Sequence, residues 1–438
     1  MMTEERTEMQ KDFQSLLLAL YGQFAEPDAL QKIRAKAWDH FLALGLPTKK
    51  DEVFRYVRLN YFFADNYEAA VATNVAVEDI EAHVLPECQN SVLVFVNGHF
   101  NPLLSRTTDL PKKAVVTLLT EAMCTFGSFL NNQLGKSIKE ETDPFAAINT
   151  ALHCEGLFLY LPPKTIAETP IQVLNVIDPQ GASMLIMPRL QIFAGAQSEL
   201  KLASTQVRLS EGNYVFNMVA DVALEEDAHM KYTQVATGIP DKIWHFDALR
   251  VTVKRNSTFK SVSVTDGAKT VRHDYRATLI GENADVHLNG ICMLGGQNES
   301  HTHVLVDHQA PNCHSMQMFK CVLNDSSKSS FEGKILVRQA AQKTEAFQLN
   351  NNLLLSDQSH SDSKPNLEIF ADDVKASHGA TFGQLDKEHI FYMKTRGFSE
   401  AQAKSILVYG FCQEVIDLIE VPSLQAAMTG LAKSLEIN

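Results

Sequence analysis

A faint internal repeat constrains the possible folds of this chain more than any other feature of its sequence. A pair of small or polar residues is followed, after one intervening residue, by an apolar residue at Gln197-Ser198-x-Leu200, Asp227-Ala228-x-Met230, Asn256-Ser257-x-Phe259 and Asn283-Ala284-x-Val286. A looser continuation runs through Met316, Ala346 and Val374, and successive apolar positions lie 30, 29, 27, 30, 30 and 28 residues apart. One coil of a parallel β-helix with three short strands needs about that many residues, given strands of roughly 5–6 residues plus turns. The repeat predicts a mainly β fold with a parallel β-helix core; a β-sandwich stays open, because a drifting period can arise by chance.

The predicted strands occupy the middle of the chain, and helical patterns occupy its ends. Residues 12–46 have the apolar spacing of two amphipathic helices, and from about residue 91 short apolar runs bounded by Gly, Pro or Asn indicate strands. Helical spacing returns after Gly397, where Ser399 and Gln402 form a capping box. Because a solenoid needs capping elements at its ends, we predict an N-terminal helical domain (1–90), a β-helix core (91–385) and a C-terminal helical domain (386–438).

Composition narrows the cellular setting and the kinds of partner. The net charge of −13 argues against a nucleic acid or an anionic membrane, which would require a concentrated basic face. The first residues contain no apolar core of a secretory signal, and the apolar cluster at 16–20 is too short to span a bilayer. Seven widely spread cysteines indicate reduced thiols rather than a disulfide framework. We therefore expect a cytoplasmic protein without a nucleic-acid or membrane partner.

The most informative stretch for function is residues 350–398, in which Asp372-Asp373 precedes Ser377-His378-Gly379. A histidine near a strand corner can ligate iron or transfer a proton near neutral pH, although the residues alone favour a hydrogen-bonded structural role. The paired carboxylates suggest a β-helix glycosidase that uses Asp372 or Asp373. Consecutive strand residues point to opposite faces, however, so the two carboxylates converge only at a bend. They can equally satisfy backbone donors at a coil corner.

Two other groups of residues contain side chains that can bind a metal ion or a phosphate. The densest cluster of metal-ligand types comprises His301, His303, His308, Cys313, His314 and Cys321. Its spacing matches no tight zinc pattern, which favours a surface or core role over metal binding. Gly135-Lys136-Ser137 is similar to the end of a phosphate-binding loop, but Leu130 occupies the position where that loop needs a glycine. ATP hydrolysis by a P-loop mechanism is therefore not expected.

Several motifs resemble, in the same order, those of the SufB/SufD family of iron–sulfur cluster assembly scaffolds, and the SufD branch more than the SufB branch. They are Asn351-Asn352-Leu353-Leu354, Pro365-x-Leu367-Glu368-Ile369, Asp372-Asp373-Val374-Lys375, Ser377-His378-Gly379-Ala380-Thr381, Phe391-Tyr392 and Arg396-Gly397. The resemblance implies a right-handed parallel β-helix with helical segments at both ends. It also implies a non-catalytic scaffold subunit that binds no cofactor stably.

The resemblance further implies a site at the contact with a SufB-like partner. His378 matches a functional histidine of SufD proteins, and it is the candidate ligand for transient iron or for a cluster. Gly379 and the aspartates at 372 and 373 lie in the same motifs. Asn350 falls where SufB scaffolds carry an essential cysteine, and Ala376 falls where many SufD proteins have one. Because Fe–S clusters need thiolate ligands, this chain is not expected to anchor a nascent cluster alone.

The partners implied by the resemblance are a SufB-like scaffold, forming a heterodimer, and a SufC-like ABC ATPase that supplies ATP hydrolysis. The ATPase would dock on the C-terminal helices, in the region of Arg396, Gly397 and Phe411, and a transient Fe–S cluster would be shared with SufB. Two alternatives remain open: the β-helix glycosidase, and a scaffold that pairs with a second copy of itself when alone.

Overall fold

The computed structural model describes residues 2–24 and 28–434. Met1 and residues 435–438, which the predicted terminal domains include, lie outside the described residues, as do residues 25–27. Strands account for 42% of the chain and helices for 27%, and the core is a parallel β-solenoid of about eight turns with helices at both ends. The predicted fold class is confirmed.

The helices lie before residue 153 and after residue 386. They are α1 Met2–Gly22, α2 Gln31–Leu44, α3 Leu59–Phe62, α4 Val77–Glu81, α5 Leu119–Glu140, α6 Pro144–Leu152, α7 Lys387–Thr395, α8 Glu400–Ile416 and α9 Pro422–Ser434. The two helices predicted between residues 12 and 46 correspond to α1 and α2. None of the helices in the described ranges is both long enough and apolar enough to cross a lipid bilayer.

Most strands of the solenoid are about ten residues long. In chain order the strands are β1 Glu68–Ala69, β2 Val92–Val96, β3 His99–Arg106, β4 Val115–Leu118, β5 Leu157–Leu161, β6 Ile171–Ile177, β7 Ser183–Ile186, β8 Arg189–Ala194, β9 Glu199–Arg208, β10 Asn213–Leu224, β11 His229–Ile239, β12 Trp244–Val253, β13 Thr258–Gly267, β14 Thr270–Leu279, β15 Asp285–Leu294, β16 Glu299–His308, β17 His314–Leu323, β18 Lys328–Val337, β19 Thr344–Leu354, β20 His360–Ile369 and β21 Val374–Gly383.

Consecutive strands from β8 onward alternate between two sheets that enclose the core. One sheet has the order β20-β18-β16-β14-β12-β10-β8-β5-β4, and the other has the order β21-β19-β17-β15-β13-β11-β9-β6-β2-β3. Each coil therefore contains two long strands, and the prediction of three short strands per coil is wrong. Two ten-residue strands and two corners fill the same repeat length, so the period alone does not distinguish the two paths.

The repeated residue pairs form one corner of each coil. The first residue of each pair has a positive φ between 56° and 60°, a conformation that Asn and Asp adopt more readily than most residues: Gln197, Asp227, Asn256 and Asn283. The small residue that follows is fully buried. Side-chain bonds join successive corners, from Asn256 Nδ2 to Asp227 Oδ1 (2.9 Å) and from Asn283 Nδ2 to Asn256 Oδ1 (3.1 Å). The repeat is thus a ladder of left-handed corners.

The looser continuation of the repeat is partly wrong. Met316 lies on the outer face, where it packs with the apolar cluster beneath the C-terminal helices, and Val374 comes two residues too early. The strand register instead places Ser315 and Ala376 at the interior position of their coils. The interior side chain changes from a large apolar residue to a small one along the stack, so a search for apolar residues loses the register.

The two ends of the solenoid are covered differently. At the N-terminal end, β3 and β4 pair antiparallel with β2 and β5, and α2, α5 and α6 pack in an apolar cluster with outer-face residues of β5, β8 and β12. The C-terminal helices lie along the outer face of the other sheet. Val408, Cys412 and Val415 of α8 pack in one apolar cluster with residues of β15 and β17, and Lys320 Nζ of β17 donates a hydrogen bond to the Phe411 carbonyl (2.9 Å). The expectation that these helices cap the final coil is not met.

A buried ion network attaches the segment before α6 to the outer face of the solenoid. Arg250 of β12 pairs with Glu141 (2.8 Å), and Arg276 of β14 also contacts Glu141 (3.1 Å). Arg272 pairs with Asp143, and it contacts Asp274 at 3.1 Å. The Asp143 carboxylate also accepts two backbone N–H bonds at the start of α6. The network therefore joins a helix cap to two consecutive coils.

Candidate functional site

The candidate residues near the C-terminus lie on the last coil of the solenoid, formed by β20 and β21. Each strand pairs on only one side, because it ends the strand order of its sheet. No residue of these two strands, both of which the structure describes in full, is buried. His378 is exposed near the middle of β21. The chain thus ends its core in an open coil with two free strand edges.

The free edge of β21 carries the backbone of His378. The Asp373 carbonyl accepts a bond from the Lys343 N–H (2.6 Å) and so faces the neighbouring coil. Backbone groups of successive strand residues point alternately to the two sides. The N–H and C=O groups of Ala376, His378 and Ala380 therefore point to the free edge, where another strand could bind them.

The free edge of β20 is interrupted by a proline. The N–H groups of His360 and Phe370 donate to Ser327 (3.1 Å) and Val337 (2.9 Å) on the neighbouring coil. Pro365 lies an odd number of residues from both, so its missing N–H falls on the free side and costs no bond within the sheet. An added strand would therefore find one donor fewer along β20 than along β21.

The side chain of His378 lies on the interior side of its sheet. His378 aligns with Gln348, which in turn aligns with Gln317, and paired positions of parallel strands share a face. Both glutamines are buried, and Gln348 Nε2 donates to Gln317 Oε1 (2.7 Å). The imidazole therefore stands at the open end of an internal row of polar side chains, where solvent or a partner can reach it.

Asn350 lies one coil further in, and it is fully buried in the interior. Its amide nitrogen donates to the Phe319 carbonyl (3.3 Å), and its oxygen accepts a bond from Asn352 Nδ2 (2.8 Å). The Asn350 side chain is therefore held by hydrogen bonds, and as an amide it provides no thiolate ligand. The position that the resemblance aligns with a SufB cysteine is thus a structural interior residue in this chain.

Asp372 and Asp373 are exposed at the corner before β21. The Asp373 N–H donates to Gln342 Oε1 (3.0 Å), so this residue takes part in the backbone bonding of the corner. Gly379 follows His378 on the free strand, and a Cβ at Gly379 would make an ordinary contact with Leu349, 3.5 Å away. The role of these residues in a site stays a prediction.

The histidine and cysteine cluster predicted between residues 301 and 321 is divided among separate surroundings. His301 and His303 lie on the outer face of one sheet, next to Ser330 (2.7 Å) and Asp274 (2.8 Å). His308 lies inside and contacts Ser315 (2.8 Å). Cys313 and Cys321 are also buried. These five residues do not converge on one point.

The sixth member of that cluster, His314, belongs to a group that sequence reasoning missed. It lies 2.8 Å from Asp285, which aligns with it on the preceding coil, and His287 lies 3.0 Å from the same carboxylate oxygen. The signal that could have revealed this group is the repeat itself, because residues 285 and 314 are one coil apart.

The residues predicted to dock an ATPase have different degrees of exposure. Arg396 lies 5.1 Å from the Tyr392 ring, with both side chains exposed, and Gly397 has a φ of +93° just after α7. Phe411 is half-buried beside Lys320, whose ammonium lies 5.0 Å from the ring centre. No residue of α7, which the structure describes completely, is buried. This end of the C-terminal segment therefore presents aromatic and basic side chains to solvent.

A buried histidine in the interior should make the fold sensitive to acid. Burial lowers the pKa of His245 to about 4, whereas in the unfolded chain it is near 6.5. Because the unfolded chain binds the proton first, stability is complete above pH 6.5 and falls by about 3 kcal/mol as the pH drops to 4. We expect His245→Phe to retain the stacking on Phe216 and to remove that share of the pH dependence.

The measurement for this prediction is the urea midpoint of unfolding at neutral pH and at two acidic values. His229→Phe is the matched control, because His229 is exposed. An equally steep loss of stability in wild type and in His245→Phe would contradict the prediction.

Comparison with known proteins gives the family. The model described as SUF system FeS cluster assembly, SufBD core domain, matches residues 176–411, and the model of the SufBD protein N-terminal region matches residues 10–173. An iron–sulfur cluster assembly SufBD family protein of Synechocystis is 31% identical over 97% of this chain and 95% of its own length. The iron–sulfur cluster assembly protein SufD of Escherichia coli is 26% identical over 92% and 91% of the two chains. A chloroplastic protein of Arabidopsis thaliana named ABCI7 is 28% identical over 89% and 82%.

The core-domain model alone covers more than half of the chain, and the second model covers most of the remainder. The solenoid with its terminal helices and the ordered motifs around His378 agree with that match. The chain therefore belongs to the SufBD family of iron–sulfur cluster assembly proteins.

Proposed function

We propose that this chain is a SufD-like, non-catalytic scaffold subunit that works in the cytoplasm. In this proposal it pairs through its last coil with a SufB-like scaffold and docks a SufC-like ATPase, which supplies ATP hydrolysis. The observation that carries the proposal is the difference between the two ends of the solenoid, because the first coils are covered and the last is open.

The free edges support a partner that continues the stack. An exposed strand edge is a template for another strand, and solenoids normally cover their terminal coils. The uninterrupted donors and acceptors of β21 favour strand addition there, whereas Pro365 leaves β20 less able to pair. A partner with its own open coil could pair one strand with the edge of β21 and another with the edge of β20.

Apolar groups at the same end support burial in a complex. Phe370 and Phe382 are 56% and 51% exposed, and Ile369 next to Phe370 is 37% exposed. Burial of such side chains stabilises by about 25 cal/mol per Å² of apolar surface. A partner surface would therefore gain both main-chain bonds and apolar contact.

The side chains of the last coil support a site formed jointly by this chain and its partner. His378 offers an imidazole, which ligates iron or transfers a proton, but a cluster needs thiolates. Five of the seven cysteines are buried, and the resemblance aligns Ala376 and Asn350 with cysteines of the SufD and SufB branches. In the proposal the partner therefore supplies the thiolate, and the cluster is transient cargo rather than a resident cofactor.

The C-terminal segment is the proposed docking element for the ATPase. Exposed side chains of α7 and of the turn at Arg396 and Gly397 form a surface that the solenoid leaves uncovered. The bond from Lys320 to the Phe411 carbonyl and the ion pair with Glu414 (2.6 Å) attach α8 to β17. Movement of the docked ATPase would thus be passed to the strands that lead to the open coil.

Co-purification at native expression tests the proposal. Wild type is expected to carry a SufB-like and a SufC-like protein. Ala380→Pro removes one N–H from the free edge without removing a bond within the sheet. It should reduce recovery of the SufB-like partner about tenfold, because a lost hydrogen bond that leaves its acceptor unpaired costs about 1–3 kcal/mol. Ala380→Ser retains the N–H and is the matched control.

Two other results would overturn the pairing. Recovery of a second copy of this chain alone would favour a homodimeric scaffold. Equal partner recovery with Ala380→Pro would remove the free edge of β21 from the interface. The glycosidase alternative gains no support, because the family match concerns cluster assembly.

A further inference from the structure

Three side chains on the outer face of the solenoid form a group that is separate from both proposed binding sites, the open coil and the C-terminal helices. Asp285 and His287 lie on β15, two residues apart and hence on one face, and His314 begins β17 directly beside Asp285. The ligand atoms of all three residues lie within 4.8 Å of one another. Among the side chains that the structure describes, this is the one such group of three.

We propose that Asp285, His287 and His314 bind a divalent first-row transition metal ion. Two imidazole nitrogens and one carboxylate oxygen are ligands that Zn²⁺, Co²⁺ and Fe²⁺ share. Water would complete the coordination, because each side chain is 25–36% exposed and the group faces solvent.

The distances fit such an ion without movement of the backbone. Ligand atoms bound to one tetrahedral zinc ion at about 2.0–2.2 Å lie about 3.3–3.6 Å apart, so only small side-chain shifts are needed. The Asp285 oxygen is 3.0 Å from His287 Nε2 and 2.8 Å from His314 Nδ1. The two imidazole rings are 5.3 Å apart between centres, so small rotations of the side chains bring both nitrogens onto a common ion.

The charged neighbours of this group lie on the two adjacent coils. Glu345 aligns with His314 on the following coil and ion-pairs with Lys375 (2.7 Å). Lys260, which aligns with His287 on the preceding coil, is exposed and can turn away from a cation.

The strand register explains why these residues meet. Adjacent coils of a solenoid lie about 4.8 Å apart, which is the separation that places side chains of paired residues in contact. His314 lies two strands from the free strand β21 in the same sheet, so the group is separate from the proposed partner interface. Its metal binding can be tested on the isolated chain, and failure there would leave the pairing proposal untouched.

The test is titration of the tag-free, full-length chain with Co²⁺, followed by visible absorption, and with Zn²⁺, followed by calorimetry. We expect one ion per chain. His287→Ala and His314→Ala should each weaken binding at least about tenfold, the size of effect that a lost metal-site residue produces, and the double variant should lose it. His360→Ala is the matched control, because His360 also lies beside a carboxylate, Asp362 (3.2 Å), but has only that one neighbour in its ion pair.

The contrary outcomes are equally direct. Cobalt uptake that is unchanged in the double variant would overturn the proposal, as would the absence of uptake by wild type up to about 1 mM. A sulfur-to-cobalt charge-transfer band would indicate the exposed Cys124 and would also count against it. Circular dichroism of each variant checks that the fold is retained.

Discussion

Replacing His378 with alanine is expected to abolish iron–sulfur cluster maturation by the assembled complex while leaving the fold intact. The side chain is exposed on the last strand, and exposed substitutions usually change the free energy of unfolding by no more than about 0.5 kcal/mol. The strand edge is equally unaffected, because alanine keeps the backbone N–H and C=O. The only group removed is the imidazole.

The expected functional loss is large because the imidazole has no local substitute. Asn350, the nearest counterpart of a cysteine position, is buried and bonded on both sides of its amide. Losing a ligand or a proton-transfer group typically costs on the order of 100-fold or more in rate. We therefore expect cluster formation, followed by its visible absorption under anaerobic conditions, to fall by about that factor.

The matched control is His360→Ala on β20. His360 is also exposed on the last coil, but its side chain lies on the outer side of its sheet, since it is offset by one residue from the interior position of Ser361, which pairs with buried Ser329. Normal maturation with His360→Ala and none with His378→Ala is the expected pair of results. Full maturation in both variants would remove His378 from the site.

Replacing Arg272 with methionine is expected to destabilise the fold by about 3–5 kcal/mol, the cost of breaking a buried ion pair. Arg272 and Asp143 are 2% and 1% exposed. Methionine can still pack on the Phe54 ring, over which the guanidinium lies at 4.1 Å, but it leaves the Asp143 carboxylate without its cation. That carboxylate also caps α6, so both the helix and its attachment to the solenoid should weaken.

The measurement is the urea or thermal unfolding midpoint of the purified chain. Arg255→Met is the control: its ion pair with Glu226 (2.9 Å) has half-exposed partners, and such surface pairs contribute little to the free energy of unfolding. The double variant Arg272→Met with Asp143→Asn should be less destabilised than the two single changes combined, because the lone charge is gone. Equal small effects of Arg272→Met and Arg255→Met would contradict the role of the network.

The fold class and its repeat were predictable, because the corner pairs obey a local rule. A left-handed corner favours Asn or Asp, and the tight interior beside it admits a small residue, so both leave a trace at a fixed period. The number of strands per coil was not predictable in the same way. A period reports the length of a coil, whereas its path depends on how far each sheet extends before the chain turns.

The sequence likewise identified some of the candidate site residues and missed others. His378 was marked by its motif, and the structure adds its exposed position beside the free edge. Asp285 and His287 were missed because their partner His314 lies one coil away in sequence, beyond any local spacing rule. The six-residue cluster was divided in the fold because β16 and β17 belong to different sheets. In addition, residues an odd number apart on one strand, such as His303 and His308, face opposite sides of their sheet.

Pro365 also bears on how large an assembly can grow. Copies stacked head to tail, with the last coil of one on the first coil of the next, would in principle build a filament without limit, as stacked strands do in amyloid. Pro365 removes one hydrogen bond from each such joint, and the opposite end presents β3 and β4, which run antiparallel to the strands that they pair with. Both features disfavour the stacking of one copy on the next, so we expect the chain alone to resist polymerisation.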